Sequence, residues 1–149
     1  MIDVFIHPDN SSLVSQEWVE KLADLTIKQL YGDEKVELSI ALEQDDVVKD
    51  LNFKYRSVDA TTDVLSFEDN YPNPETGLIH VGDIIISVPQ AQKQAITAGH
   101  SLNQELALLI VHGVLHLDGY DHTEVEDEKV MWEKQGSILM KFQNFIENE

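Results

Sequence analysis

His112-Gly113-Val114-Leu115-His116-Leu117-Asp118-Gly119-Tyr120-Asp121-His122 places three imidazoles at spacings of four and six, with a glycine midway through the second gap. Residues four apart on a helix share one face, with Cβ atoms roughly 6 Å apart, so His112 and His116 can grip one ion. Gly119 can take a positive φ that stops the helix and turns the chain back, which carries His122 toward the same ion. Three neutral nitrogen ligands leave a fourth position open on a divalent cation, the arrangement of a catalytic rather than a closed structural zinc. A structural site completed by Asp118 or Asp121 is the bland alternative. The expected cofactor is one Zn2+ ion, and the expected chemistry is hydrolysis.

Upstream, Ser101 with Gln104 has the form of a capping box that opens a helix over Leu102–Leu117. That helix is apolar almost all round and should be buried, so the histidines project from a core element. Further out, Ile2–Ile6 and Val36–Leu42 alternate with period two and read as strands. Thr62–Phe67 and Val81–Val88 read as two more, the second interrupted by Gly82-Asp83. Ser15 caps a helix that carries Trp18, Leu22, Leu25 and Leu30 and ends at Gly32. A short helix runs from Asp45 to about Lys54, with Val48, Leu51 and Tyr55 on its apolar side. Ser87 with Gln90 opens another, and the segment from Glu68 to Gly77 with Pro72 and Pro74 reads as an exposed loop. Thr123 with Glu126 starts a last helix whose apolar positions are Val130, Ile138, Met140, Phe142 and Ile146, and Met131 and Trp132 read as ordinary core as well. The expectation is an α+β fold: a single domain over residues 1–149, a small mixed sheet with helices packed on it, and a metal-binding helix of zincin-like type.

The chain has 149 residues and no cysteine, so a core can form without staples and a thiolate zinc site is excluded. No apolar run approaches the roughly 20 residues of a membrane span, and a cytoplasmic protein with no membrane partner is the default. The net charge of −18 opposes nucleic acid at long range. A phosphate contact would therefore be local, built from Lys54, the single arginine Arg56, and a metal whose double charge is not cancelled by neutral imidazoles. Arg56 could equally pair with one of the many carboxylates.

The histidine frame is that of the metzincin proteases with one difference. Those enzymes carry Glu directly after the first His, where it takes the proton of the zinc-bound water; here the position is Gly113. No downstream Met-turn is evident. A zinc metallopeptidase is thus the runner-up, and phosphodiester cleavage assisted by a guanidinium on phosphate is preferred. The general base stays open among Asp83, Asp121 and zinc hydroxide. His7, His80 and His100 read as structural or surface residues, and Asp118 as a solvated turn residue.

Asn52-Phe53-Lys54-Tyr55-Arg56, Thr62-Asp63-Val64-Leu65-Ser66-Phe67, Gly82-Asp83-Ile84-Ile85-Ile86-Ser87 and Gly99-His100-Ser101-Leu102, followed by the triple-His run, resemble the YbeY family from residue 52 onward. The resemblance implies a single-strand-specific, zinc-dependent endoribonuclease acting in maturation of the 16S ribosomal RNA 3′ end and in ribosome quality control. It places the zinc ligands at His112, His116 and His122 and a functionally important arginine at Arg56. Implied partners are single-stranded ribosomal RNA and ribosomal or ribosome-assembly proteins. Thr61 and Glu68 stand where family members often have proline. A non-catalytic assembly factor with a structural zinc is the remaining alternative.

Overall fold

In the computed structural model, residues 1–119 and 125–147 are described. β1 (Ile2–Ile6) leads through a 3-10 turn (Pro8–Asn10) to α1 (Gln16–Tyr31), β2 (Val36–Glu43) and α2 (Asp45–Arg56). β3 (Val64–Pro72), β4 (Ile79–Ser87), α3 (Val88–Ala98), α4 (Leu102–Leu117), α5 (Val125–Lys141) and α6 (Gln143–Glu147) follow. The strands form one mixed sheet in the order β1-β2-β4-β3, with β1 and β4 parallel to β2 and β3 antiparallel to β4. The expected α+β architecture is what the chain adopts.

Strand alternation gives the sheet two unlike faces. Leu38, Ile40, Leu42, Ile84 and Ile86 are buried beneath α1 and α4, joined by Trp18, Leu22, Leu106, Ile110 and Val114. Phe5, Ala41, Ile85 and Phe67 line the other face with Asp3, Ser39 and Asp83, and Leu51 and Tyr55 of α2 cover it in part, leaving a cavity of about 450 Å³. α4 supplies more of the core than any other helix, and only its capping turn, Leu108, His112 and His116 are less than fully buried. Its N-terminus is a complete capping box: Ser101 Oγ accepts from Gln104 N–H at 3.1 Å, and Ser101 N–H donates to the Gln104 amide at 2.8 Å.

α4 lies close on the sheet because Gly113 has no side chain. A Cβ there would stand 2.9 Å from Cδ1 of Ile84. The residue that in metzincins would carry the catalytic carboxylate is here a contact surface for β4.

Three expectations are corrected. β3 continues through Pro72, because Glu68, Tyr71 and Pro72 keep pairing with Gly82, His80 and Ile79; the turn-rich composition reports a strand exposed at the sheet edge. The last helix is two, α5 and α6, broken at Phe142. Val130, Trp132 and Met140 are exposed, whereas Met131 and Ile138 are buried as expected and pack with Val111 and Leu115.

Asp45, at the start of α2, ties that helix to the sheet. Its carboxylate accepts from Thr61 Oγ1 at 2.6 Å, Ser87 Oγ at 3.0 Å and Gln90 Nε2 at 3.3 Å. A hydroxyl hydrogen bond therefore holds the loop at Thr61. These bonds, Thr61's foremost, hold the Asp45 carboxyl below the usual carboxylate range. A depressed folded value means that the stabilisation is present above the unfolded pKa of about 4 and is lost as pH falls through the folded value. Asp45→Asn is therefore expected to be less stable than the native chain in urea at about pH 7, with the difference closing as pH falls below the folded value of the Asp45 carboxyl. A difference independent of pH would show that the charge of Asp45 does not contribute.

Candidate metal centre

His112 and His116 stand one turn apart on α4, their ring centroids 5.9 Å apart and their planes at 72°. Both are half-buried in a run whose other members from Leu109 to Leu117 are buried, so the two rings define the face by which this core helix reaches the surface. The structure thus brings together the first two ligands expected from the sequence. The third, His122, lies outside the described residues, as does Asp121. Among the described residues no group of three or more His, Cys, Asp or Glu could hold a metal. The fit to a metal rests on the donor set: two imidazoles on one face of a rigid helix, neither carrying a formal charge of its own. Gly119, with φ of 94°, makes the expected left-handed exit from α4.

His112 is oriented from outside its own helix. Its Nδ1 lies 2.9 Å from Oε1 of Gln135 on α5. An amide oxygen only accepts, so the contact is a hydrogen bond when Nδ1 carries the proton, and in the neutral ring that tautomer puts the lone pair on Nε2. Gln135 was not legible as a site residue by itself. The available signal is a half-buried amide between the buried Met131 and Ile138, in the stripe that faces α4.

Asp118, at the C-terminal cap of α4, is an exposed turn residue as expected, and it is also partnered by Tyr31. Burial on its Tyr31 side raises its carboxyl, offset in part by the hydrogen bond it accepts from the Tyr31 hydroxyl. Burial, followed by the Asp118 charge and that same bond, pushes the Tyr31 hydroxyl well above the ordinary tyrosine value. The contact joins the end of α4 to the end of α1.

Arg56 stands at the end of α2 and reaches the edge strand β3. Its Nη2 donates to the Ser66 carbonyl at 2.7 Å, and its guanidinium carbon lies 5.3 Å from the centroid of the Phe67 ring. The described lysine–carboxylate pairs involve Lys28, Lys49 and Lys129, and none among the described residues involves Arg56. The salt-bridge alternative is not what the described residues form. Arg56 approaches β3 from the α2 side and α4 packs on it from the other, so the edge strand is the element that arginine and histidines share.

Asp83 does not face the histidines. Its neighbour Ile84 points at Gly113 of α4, whereas Asp83 lines the open-face cavity and meets His80 Nε2 at 3.1 Å. It is therefore set aside as a base for water bound at the α4 face. His80 also approaches the buried Glu37 at 3.5 Å, His100 Nε2 lies 2.8 Å from the buried Glu105, and His7 Nδ1 accepts from Asp9 N–H at 3.1 Å. All three serve the structural roles expected of them. No helix of the described residues is long and apolar enough to cross a membrane.

Comparison with known proteins gives one family. A family model described as endoribonuclease YbeY matches residues 7–143. A protein named endoribonuclease YbeY from Dehalococcoides mccartyi is 41% identical over 158 aligned positions, covering 98% of this chain and 99% of that protein. Proteins of the same name from Staphylococcus saprophyticus and Shouchella clausii are 40% and 38% identical, covering 88% and 95% of this chain and 90% and 96% of their own lengths. Among solved structures, the solution structure of TM1509 from Thermotoga maritima superposes with a TM-score of 0.68 at 28% identity, covering 99% of this chain and 93% of that one.

Proposed function

The chain belongs to the endoribonuclease YbeY family, and from that premise we propose that it cleaves single-stranded RNA at one zinc ion held by His112, His116 and His122. We further propose that its substrate is the 3′ end of 16S ribosomal RNA, in ribosome maturation and quality control in the cytoplasm. The observation that carries the reading is the His112–His116 pair, two rings 5.9 Å apart at the one half-buried position per turn of a buried helix. Bound there, zinc would lower the pKa of a water ligand to about 7 and draw charge from a phosphoryl oxygen.

The protein's own residues supply rigidity and a cation. α4 is locked by its core packing, by its capping box and by Tyr31 on Asp118, so the ligand rings are held by a rigid element. Arg56 spends one N–H on the Ser66 carbonyl, which fixes the guanidinium at the sheet edge and leaves further donors of its fork for a phosphate. The metal and Arg56 make a small positive field in a chain of net charge −18. The surrounding acidity favours approach through basic ribosomal or assembly proteins rather than through RNA alone. Gly113 offers no carboxylate beside the first ligand, which argues against peptide hydrolysis.

Purified protein with a single-stranded oligoribonucleotide tests the reading. Cleavage is expected to stop with a chelator and return with zinc; cleavage indifferent to chelation would overturn the metal-dependent mechanism. Arg56→Ala is expected to lower kcat/KM by about 100-fold or more, the usual cost of losing one donor to developing charge, with zinc content unchanged. Arg56→Lys should recover only part, because an ammonium lacks the fork. Full activity in Arg56→Ala would remove the phosphate role.

A further inference from the structure

Gln135 is a polar residue in an apolar seam. On α5 it falls between Met131 and Ile138, which are buried against Val111 and Leu115 of α4. An aliphatic side chain there would continue the seam, yet the amide carries its oxygen to His112 Nδ1 at 2.9 Å. Placing an amide in such a seam costs desolvation unless it is hydrogen-bonded, and the imidazole meets that need. Of the two neutral tautomers, the bond forms only in the one with hydrogen on Nδ1, which is the tautomer whose lone pair lies on Nε2.

We propose that Gln135 is the positioning residue of the metal centre: it selects the tautomer and ring orientation of His112 and so prepares Nε2 for the ion. The inference rests on the zinc reading above. It also accounts for the choice of an amide. A carboxylate at this position would orient the ring equally well but would add a negative charge beside the cation. An amide orients without charge, so the ion's full positive charge stays available to a phosphodiester. Because Gln135 sits on α5, the inference also makes α5 part of the site, which the helix α4 does not build alone.

Two substitutions separate this role from simple packing. Gln135→Met keeps length and fills the seam but accepts no hydrogen bond from the ring; Gln135→Glu keeps an acceptor. Long-range 1H–15N spectra of metal-free protein at about pH 8, where an ordinary imidazole is neutral, are expected to show His112 with its proton on Nδ1 in the native chain and in Gln135→Glu. In Gln135→Met the proton should move toward Nε2. Competition with a chromogenic chelator should show zinc affinity about 10- to 100-fold weaker in Gln135→Met, and at or above the native value in Gln135→Glu. A Gln135→Met protein that keeps the Nδ1 proton and binds zinc as tightly as the native chain overturns the inference and leaves the zinc reading standing. A native chain that takes up no zinc overturns both, and the spectra then report only a structural hydrogen bond.

Discussion

His116→Ala is expected to lose zinc binding by more than 100-fold and RNA cleavage to background, while the protein stays folded. The ring is half-buried on α4 and its neighbour His112 lies one turn away. Removing one of three neutral donors leaves an ion held by two, with no thiolate anywhere in the chain to take its place. Replacing an outer partner of a ligand already costs 10- to 100-fold in affinity, so loss of the ligand itself should exceed that range. Alanine is the best helix former and the position is not in the apolar core, so α4 should persist. Metal analysis, circular dichroism and cleavage of a single-stranded oligoribonucleotide check the three parts. Cleavage at the native rate by a folded His116→Ala protein would show that the chemistry takes place elsewhere.

The largest effect on stability is expected at Gly82. Its φ of 156° is one that residues with a side chain rarely adopt, and a Cβ would press on the Phe67 carbonyl and come within 2.7 Å of Leu117 Cδ2. The first obstacle is backbone of the neighbouring strand and cannot rotate away. The second is the last residue of α4, next to His116. Gly82→Ala therefore has to push β3 off β4 and lift the end of α4 together. Overpacking normally costs 1–3 kcal/mol, and with backbone strain added the expected cost is about 3 kcal/mol or more, a fall in Tm of roughly 6–12 °C. The nearest atoms that Gly113→Ala meets are Cδ1, Cγ1 and Cγ2 of Ile84, a side chain rather than backbone, and the cost should fall at the low end of that range, about 1 kcal/mol. Thermal unfolding of both variants orders them. Equal, small effects would mean that the sheet gives way at Gly82 more easily than its geometry indicates.

The elements written in strong local signals were legible. Ser101 and Gln104 announce the start of α4 and Gly119 its end, and the helix spans Leu102–Leu117 as read. The pairing of His112 with His116 followed from helical spacing alone. What escaped depends on tertiary contact. The exposed extension of β3 carries turn-forming residues, and only its pairing with β4 keeps it extended. In α5, Val130, Met131 and Trp132 are adjacent and all apolar, so composition reads all three as core; packing on Val111 and Leu115 selects Met131 alone. Gln135 and Tyr31 acquire roles only because α5 and α1 are brought against the two ends of the histidine segment. The unusual absence of a side chain at Gly113 was visible, but its reason, contact with Ile84, required the sheet.

X-ray absorption at the zinc edge on the purified native chain is the most direct measurement of the metal centre. One zinc per chain is expected, with three nitrogen neighbours at about 2.0–2.1 Å and one exchangeable oxygen. A zinc surrounded by four protein ligands, with a carboxylate in the place of the exchangeable oxygen, or a chain that retains no zinc, would contradict it.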